Sequence, residues 1–137
     1  DGSGATPTAT RNVAGTSAPP AVLTISDGAT YNYGTLVNGT SGDKSFTINN
    51  TGGVTATSLT GGGIAVPFTF KDGSYPGTGG NCGTSLAAGG SCTVVVTFSP
   101  TASTSYNDTL DMQYNDGVTT QISSRDLAGA GGPPASI

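Results

Sequence analysis

The stretch Cys92-Thr93-Val94-Val95-Val96-Thr97-Phe98 constrains the fold more than any other part of this chain. Cys92, Val94, Val96 and Phe98 fall on one parity, and Thr93, Val95 and Thr97 on the other. Side chains alternate across a strand with a period of two, so this run reads as a strand with one face in a core. Shorter runs of the same kind recur. Leu23 and Ile25 share a face within 21–26, Tyr31 and Tyr33 within 29–37, and Phe46 and Ile48 within 44–49. Residues 54–60 form a weaker, Thr-rich strand. Ile64, Val66, Phe68 and Phe70 share a parity, with Pro67 on the other, which places that strand at an edge or a bulge. Leu110, Met112 and Tyr114 line one face of 106–114, and the return over 118–127 is predicted to turn Val118, Thr120 and Ile122 inward.

Turn signals separate these runs. Asp27-Gly28, Asn38-Gly39, Asp72-Gly73 and Asp116-Gly117 tolerate the positive φ angles of tight turns, and Asn50-Thr51-Gly52-Gly53 adds another. Residues 71–90 read as a long Gly-bearing loop. All eight acids are Asp and only two Lys occur, so the usual helix formers are missing, and no helix is expected. No duplicated whole unit is evident along the chain. Val, Ile, Leu and Phe number 24 in 137 residues, which makes a modest core, but a net charge of −4 is too small for charge-driven disorder. About eight closely spaced strands with polar outer faces give an all-β sandwich of two sheets.

The absences exclude whole classes of function. Without His there is no imidazole relay or imidazole metal site, and two Cys cannot form a Cys-only zinc tetrahedron. Four Lys and Arg against eight Asp argue against a nucleic-acid surface. No apolar run approaches the roughly 18 residues of a membrane span. Asp108 and Asp111 differ in parity and so face opposite ways, which does not suit paired-carboxylate hydrolysis. Asp111 or Asp116 remains open as a fortuitous cation contact. Lys44 or Lys71 is a candidate for an isopeptide crosslink only if buried beside a carboxylic acid. Gly61-Gly62-Gly63 lacks the Lys and helix of a phosphate loop. No catalytic residue, metal ligand or cofactor is expected. Tyr31, Tyr75 and Tyr106, with Tyr114, are candidates for an aromatic glycan platform. Asn38-Gly39-Thr40, Asn49-Asn50-Thr51 and Asn107-Asp108-Thr109 match the N-glycosylation pattern, and the leader's Thr, Ser and Pro permit O-glycans.

Three segments follow: a Thr/Ser/Pro-rich leader, linker or donated strand over 1–20, a sandwich domain over 21–131, and a tail over 132–137. The start at Asp1 reads as processing or excision from something longer. Cys82 and Cys92 are an even pair in a small, loop-rich acidic chain, which predicts a disulfide and an oxidising, extracellular compartment. The bond would pin the preceding loop to the strand that Cys92 starts.

Several pieces, in order, resemble a known family. They are Tyr33-Gly34, the run Phe46-Thr47-Ile48-Asn49-Asn50-Thr51-Gly52, Cys82 followed by Leu86-Ala87-Ala88-Gly89-Gly90-Ser91-Cys92-Thr93-Val94, the run Val96 to Thr101, and Leu127-Ala128-Gly129-Ala130-Gly131. Over about 22–131 the chain resembles the bacterial choice-of-anchor D modules, related to the ASPM/SPD-2/Hydin group. The resemblance implies an immunoglobulin-like antiparallel sandwich of about seven to nine strands on exported or surface-exposed bacterial proteins. It implies a stalk, spacer or interaction unit with no shared active site.

Two functional readings lead. In the first, the chain is a non-catalytic subunit of an extracellular fibre or surface assembly. Its leader, with Ala5, Pro7, Ala9, Arg11 and Val13 on one parity, would join a neighbour's sheet edge, so the partner is another copy. In the second, it is a spacer or adhesion module of a larger cell-surface protein, with adjacent domains or glycans as partners. An enzyme is the least favoured reading.

Overall fold

The structure is a computed structural model that describes residues 17–135. Its strands are β1 (Leu23–Ile25), β2 (Thr30–Val37), β3 (Gly42–Asn50), β4 (Thr57–Gly62), β5 (Phe68–Phe70), β6 (Ser91–Phe98), β7 (Ser105–Asn115) and β8 (Thr120–Gly132). One short 3-10 turn at Lys71–Gly73 is the sole helical element among the described residues. The strands form two four-stranded sheets, in the orders β1-β3-β6-β5 and β2-β8-β7-β4.

Alternation builds the core as the sequence predicts. Phe46 and Ile48 from β3, Val94, Val96 and Phe98 from β6, and Leu110 and Met112 from β7 are fully buried between the sheets. The β6 register sets Phe98 opposite Gly42 and Cys92 opposite Ile48. Phe98 is the hub of the aromatic core. It stacks on Phe68 at 4.8 Å and meets Tyr33 at 5.5 Å and Tyr106 at 5.9 Å. Gly129 of β8 faces this ring, and a Cβ there would collide with it.

The sandwich is not wholly antiparallel. β2 pairs with β8 in parallel, from Thr30 opposite Asp126 to Val37 opposite Gly132. The cause lies at Asp27-Gly28, where both residues take φ of 74°. There the chain passes from one sheet to the other without reversing, so β2 continues the direction of β1 alongside β8.

Three edge expectations need correction. Val118 and Ile122 do not point inward; they are 80% and 60% exposed. β8 pairs Ser123 with inward-facing Met112 and Ile122 with Gln113, so the odd positions of β8 face the core. Val66 is 80% exposed and the strand begins only at Phe68, after a turn closed by the Phe68 N–H on the Ala65 carbonyl. That strand does lie at a sheet edge, as Pro67 requires. Val54 lies outside a strand, because β4 starts at Thr57.

Candidate functional site

The chain enters and leaves the sandwich at opposite poles. Ala21 donates its N–H to the Asp116 carbonyl at the turn that precedes β8. At the far end of β8, Asn38 donates to the Gly132 carbonyl. β8 has thirteen residues. At about 3.3 Å per residue, it separates the poles by roughly 40 Å.

The N-terminal pole is held by a group of polar side chains. Asn50, 1% exposed, ends β3 with every amide group in use. Its Nδ2 donates to the carbonyls of Val54 (2.8 Å) and Leu86 (3.0 Å), and its Oδ1 accepts from Gly52 (3.0 Å) and Val22 (3.3 Å). One side chain thus ties together the lead into β1, the end of β3 and the loop before β6, at full hydrogen-bond capacity. Gly52 is required beside it, because a Cβ would strike the Pro20 carbonyl. Asp116 is buried at the same pole. Its Oδ1 accepts from the Val118 and Thr119 N–H groups at 2.8 Å each, and its Oδ2 from Gln121 at 3.1 Å. The backbone bonds from Thr119 and Val118, with help from Gln121, hold its carboxyl below the usual Asp range.

β1 has only three residues, and the opposite sheet latches it. Ser123 donates its hydroxyl to the Leu23 carbonyl at 2.8 Å, and the Leu23 N–H donates to the Tyr114 hydroxyl at 3.2 Å. Arg125 spans from β8 to donate Nε to the Ser26 carbonyl at 3.0 Å, with a second guanidinium bond to the Ile25 carbonyl. Hydrogen bonds from a charged donor are among the stronger ones. Neither Ser123 nor Arg125 is legible from apolar periodicity. The available signal is a lone Arg on the parity of Leu127, where a core position would be apolar.

Among the described residues, most charge lies between the poles. Lys44 pairs with Asp27 at 3.1 Å and lies over the Tyr31 ring, and Lys71 pairs with Asp43 at 2.9 Å. The Ser26 hydroxyl and Lys44 lower the Asp27 carboxyl, and the Thr97 hydroxyl and Lys71 lower that of Asp43. Both lysines are partly solvent-exposed ion-pair members, which does not meet the burial that an isopeptide crosslink needs. Asp108 bonds the Ala65 and Thr109 N–H groups, Asp111 the Ser124 hydroxyl, and Asp126 the Thr109 hydroxyl. No group of three acids or Cys is placed to hold a metal ion among the described residues. The segments 34–42, 99–105 and 128–135 at the C-terminal pole contain no charged residue. At the other pole, 17–24, 49–56 and 112–122 contain only Asp116, whose carboxylate is bonded within its own turn and to Gln121.

Cys82 and Cys92 form the disulfide the sequence predicts, between the loop and the start of β6. The Cys82 N–H also donates to the Thr93 carbonyl, and Asn81 Oδ1 accepts the Thr93 N–H at 2.8 Å. The three candidate glycan tyrosines pack on three different core rings. Tyr31 meets Phe46 at 5.5 Å, Tyr75 meets Phe70 at 5.6 Å, and Tyr106 meets Phe98. The Tyr75 hydroxyl donates to the Gly83 carbonyl at 2.9 Å, and burial pushes its pKa up to about 12. Ala5, Pro7, Ala9, Arg11 and Val13, the candidate subunit contacts, lie outside the described residues.

The model of the HYDIN/CFA65/VesB-like immunoglobulin-like domain matches residues 22–125. The chain belongs to this family. A solved structure of the Vibrio cholerae VesB protease superposes with a TM-score of 0.62 at 16% identity, covering 81% of this chain and 32% of that one. The ASH/PapD-like domain 7 of human CEP192 gives 0.62 at 17% identity, over 93% of this chain and 97% of that one. A protein of unknown function from Porphyromonas gingivalis gives 0.60 at 16%, over 85% and 50%. At these identities the likeness is one of fold. The chain spans about a third of the VesB chain that it matches. A comparison with curated proteins finds no match.

Proposed function

We propose that this immunoglobulin-like domain is a non-catalytic spacer module, of the choice-of-anchor D kind, within a larger exported bacterial protein. The observation that carries the reading is the placement of Ala21 and Gly132 at opposite poles, along the full length of β8. A domain crossed end to end adds its own length to whatever it joins. One with its ends side by side would add a branch instead. The latch on β1 and the Asn50 hub sit where tension from the N-terminal side arrives. The Cys82–Cys92 bond supports an oxidising, extracellular location. The dispersal of Tyr31, Tyr75 and Tyr106 over separate core contacts favours a packing role for them over a glycan platform.

The test is the distance between two compact fluorescent reporters fused before residue 17 and after residue 135. The spacer reading expects a separation of at least the module's length that does not change with salt. Reporters found in close contact would contradict it. Light scattering of the full chain, and of the chain lacking residues 1–16, is expected to show monomers in both cases. Assembly that vanishes on the deletion would favour strand donation into a fibre.

A further inference from the structure

The chain contains two arginines, Arg11 and Arg125, and they are 114 positions apart. The same offset relates much more than these two residues. Arg11-Asn12-Val13-Ala14-Gly15 stands against Arg125-Asp126-Leu127-Ala128-Gly129, and Pro19-Pro20-Ala21 against Pro133-Pro134-Ala135. Over residues 5–23 against 119–137, 7 of 19 positions are identical. Val13 with Leu127 and Leu23 with Ile137 preserve apolar character as well.

The structure shows what the repeated positions do. Arg125 latches β1 through two carbonyls, Leu127 is buried, and Gly129 makes room for the Phe98 ring. Ala21 is buried where the chain enters the sandwich. The repeat therefore coincides with the two features that close and open this domain: the inward face of β8 and the lead into β1. The alternation of Pro7, Ala9, Arg11 and Val13 corresponds to Gln121, Ser123, Arg125 and Leu127, the odd positions that β8 turns inward. Pro7 is the one departure in this alternation. That role costs one bond: the Asp126 N–H bonds Ala29 and the Gly131 N–H bonds Thr104, so odd positions of β8 turn their N–H toward β7, and a Pro opposite Tyr114 forgoes one ladder bond beside the hairpin turn.

We propose that the chain carries one complete unit of a tandem array with a period of 114 residues. Residues 5–18 correspond in sequence to the closing strand of such a unit, and residues 133–137 to the lead into another. The neighbour at each pole is then another copy of the same domain, joined through a Pro-Pro step, a semi-rigid connection. The poles fit this neighbour, because Asp116 is the one charged side chain in the segments named there and is bonded within its own turn, so the surfaces stack with little repulsion. The inference names the partner in the spacer reading and rests on that reading.

The test exchanges one closing strand for the other. In the full chain, residues 119–130 are replaced by a second copy of residues 5–16, which keeps Gly131, where a Cβ would strike the Ala102 carbonyl, and Gly132. The variant is expected to give a cooperative β-sheet melt and to keep the Cys82–Cys92 bond. An alanine replacing the transplanted arginine is expected to lower its Tm as much as Arg125→Ala lowers that of the natural chain. A second version carries Pro7→Gln in the transplanted segment, which restores the residue found at position 121. If neither version melts cooperatively, the proposal is overturned. It is also overturned if deleting residues 1–16 from the natural chain lowers its Tm, since those residues would then belong to this domain. Neither failure changes the reporter separation that tests the spacer reading.

Discussion

β6 and β8 are both long central strands, yet they hold the domain by different means. The inward positions of β6 are Cys92, Val94, Val96 and Phe98, all buried and all apolar. Those of β8 include Ser123, Arg125, Leu127 and Gly129, of which only Leu127 is a large apolar residue. β6 stabilises by area removed from water, at about 25 cal/mol per Å². β8 stabilises by directed bonds to a strand in the other sheet and by leaving space. The first mechanism writes a periodic apolar pattern into the sequence, and the second does not.

The sharpest way to break the β6 side is Phe98→Ala, which removes the hub ring among Phe68, Tyr33 and Tyr106. Its expected cost is about 3–5 kcal/mol by chemical denaturation. A loss below about 1 kcal/mol would show that the aromatic cluster repacks around the gap. Removing the staple with Cys82→Ala and Cys92→Ala together is expected to cost about 2–3 kcal/mol, because the closed loop is short. On the β8 side, Arg125→Ala is expected to cost about 1.5–3 kcal/mol, with hydrogen exchange rising first at Ile25 and Ser26. Unchanged exchange there would mean that β1 is held by its pairing with β3 alone. The smallest effect is expected from Ile122→Thr, within about 0.5 kcal/mol, because the side chain faces solvent. A large loss from that change would restore the inward reading of 118–127.

Acid is expected to act on the polar attachments rather than on β6. Asp27, Asp43 and Asp116 all have lowered carboxyl pKa values in the fold. Such groups contribute stability above the unfolded value near ~3.9, and that contribution is lost as pH falls through the lowered folded values. The Tm is therefore expected to be flat from pH 8 to about pH 5 and to fall below about pH 4. Asp116→Asn is expected to weaken that acid dependence. A Tm unchanged down to pH 2 would contradict these roles.

The contrast between the two strands also measures what was legible in advance. The core strands, the Asp-Gly and Asn-Gly turns and the disulfide follow directly from residue types and spacing. Gly28, Gly39, Gly73 and Gly117 all take positive φ. The inward face of β8 was not legible. Val118 and Ile122 offered an apolar parity that happened to be the solvent-facing one, while Arg125 and Ser123 concealed the true one. The parallel β2–β8 pair was equally hidden, because it depends on where the chain changes sheets and not on the content of either strand. The polar hub could be read only in part. Asn50 is evident as a turn residue, but its bonds to Leu86 and Val22 depend on which loops fold back over it.

A spacer of the proposed kind would transmit load along β8 from one pole to the other. Single-molecule pulling tests it most directly, with handles at residues 17 and 135 in one arrangement and at residues 39 and 135 in the other. Pulling from pole to pole loads the ladders of β1 and β8 along their length, so many hydrogen bonds resist together. Pulling between 39 and 135 starts at one pole, where Val37 faces Gly132, and opens β2 from β8 one pair at a time. The account predicts a clearly higher unfolding force in the first arrangement. Equal forces, or a weaker response from pole to pole, would contradict it.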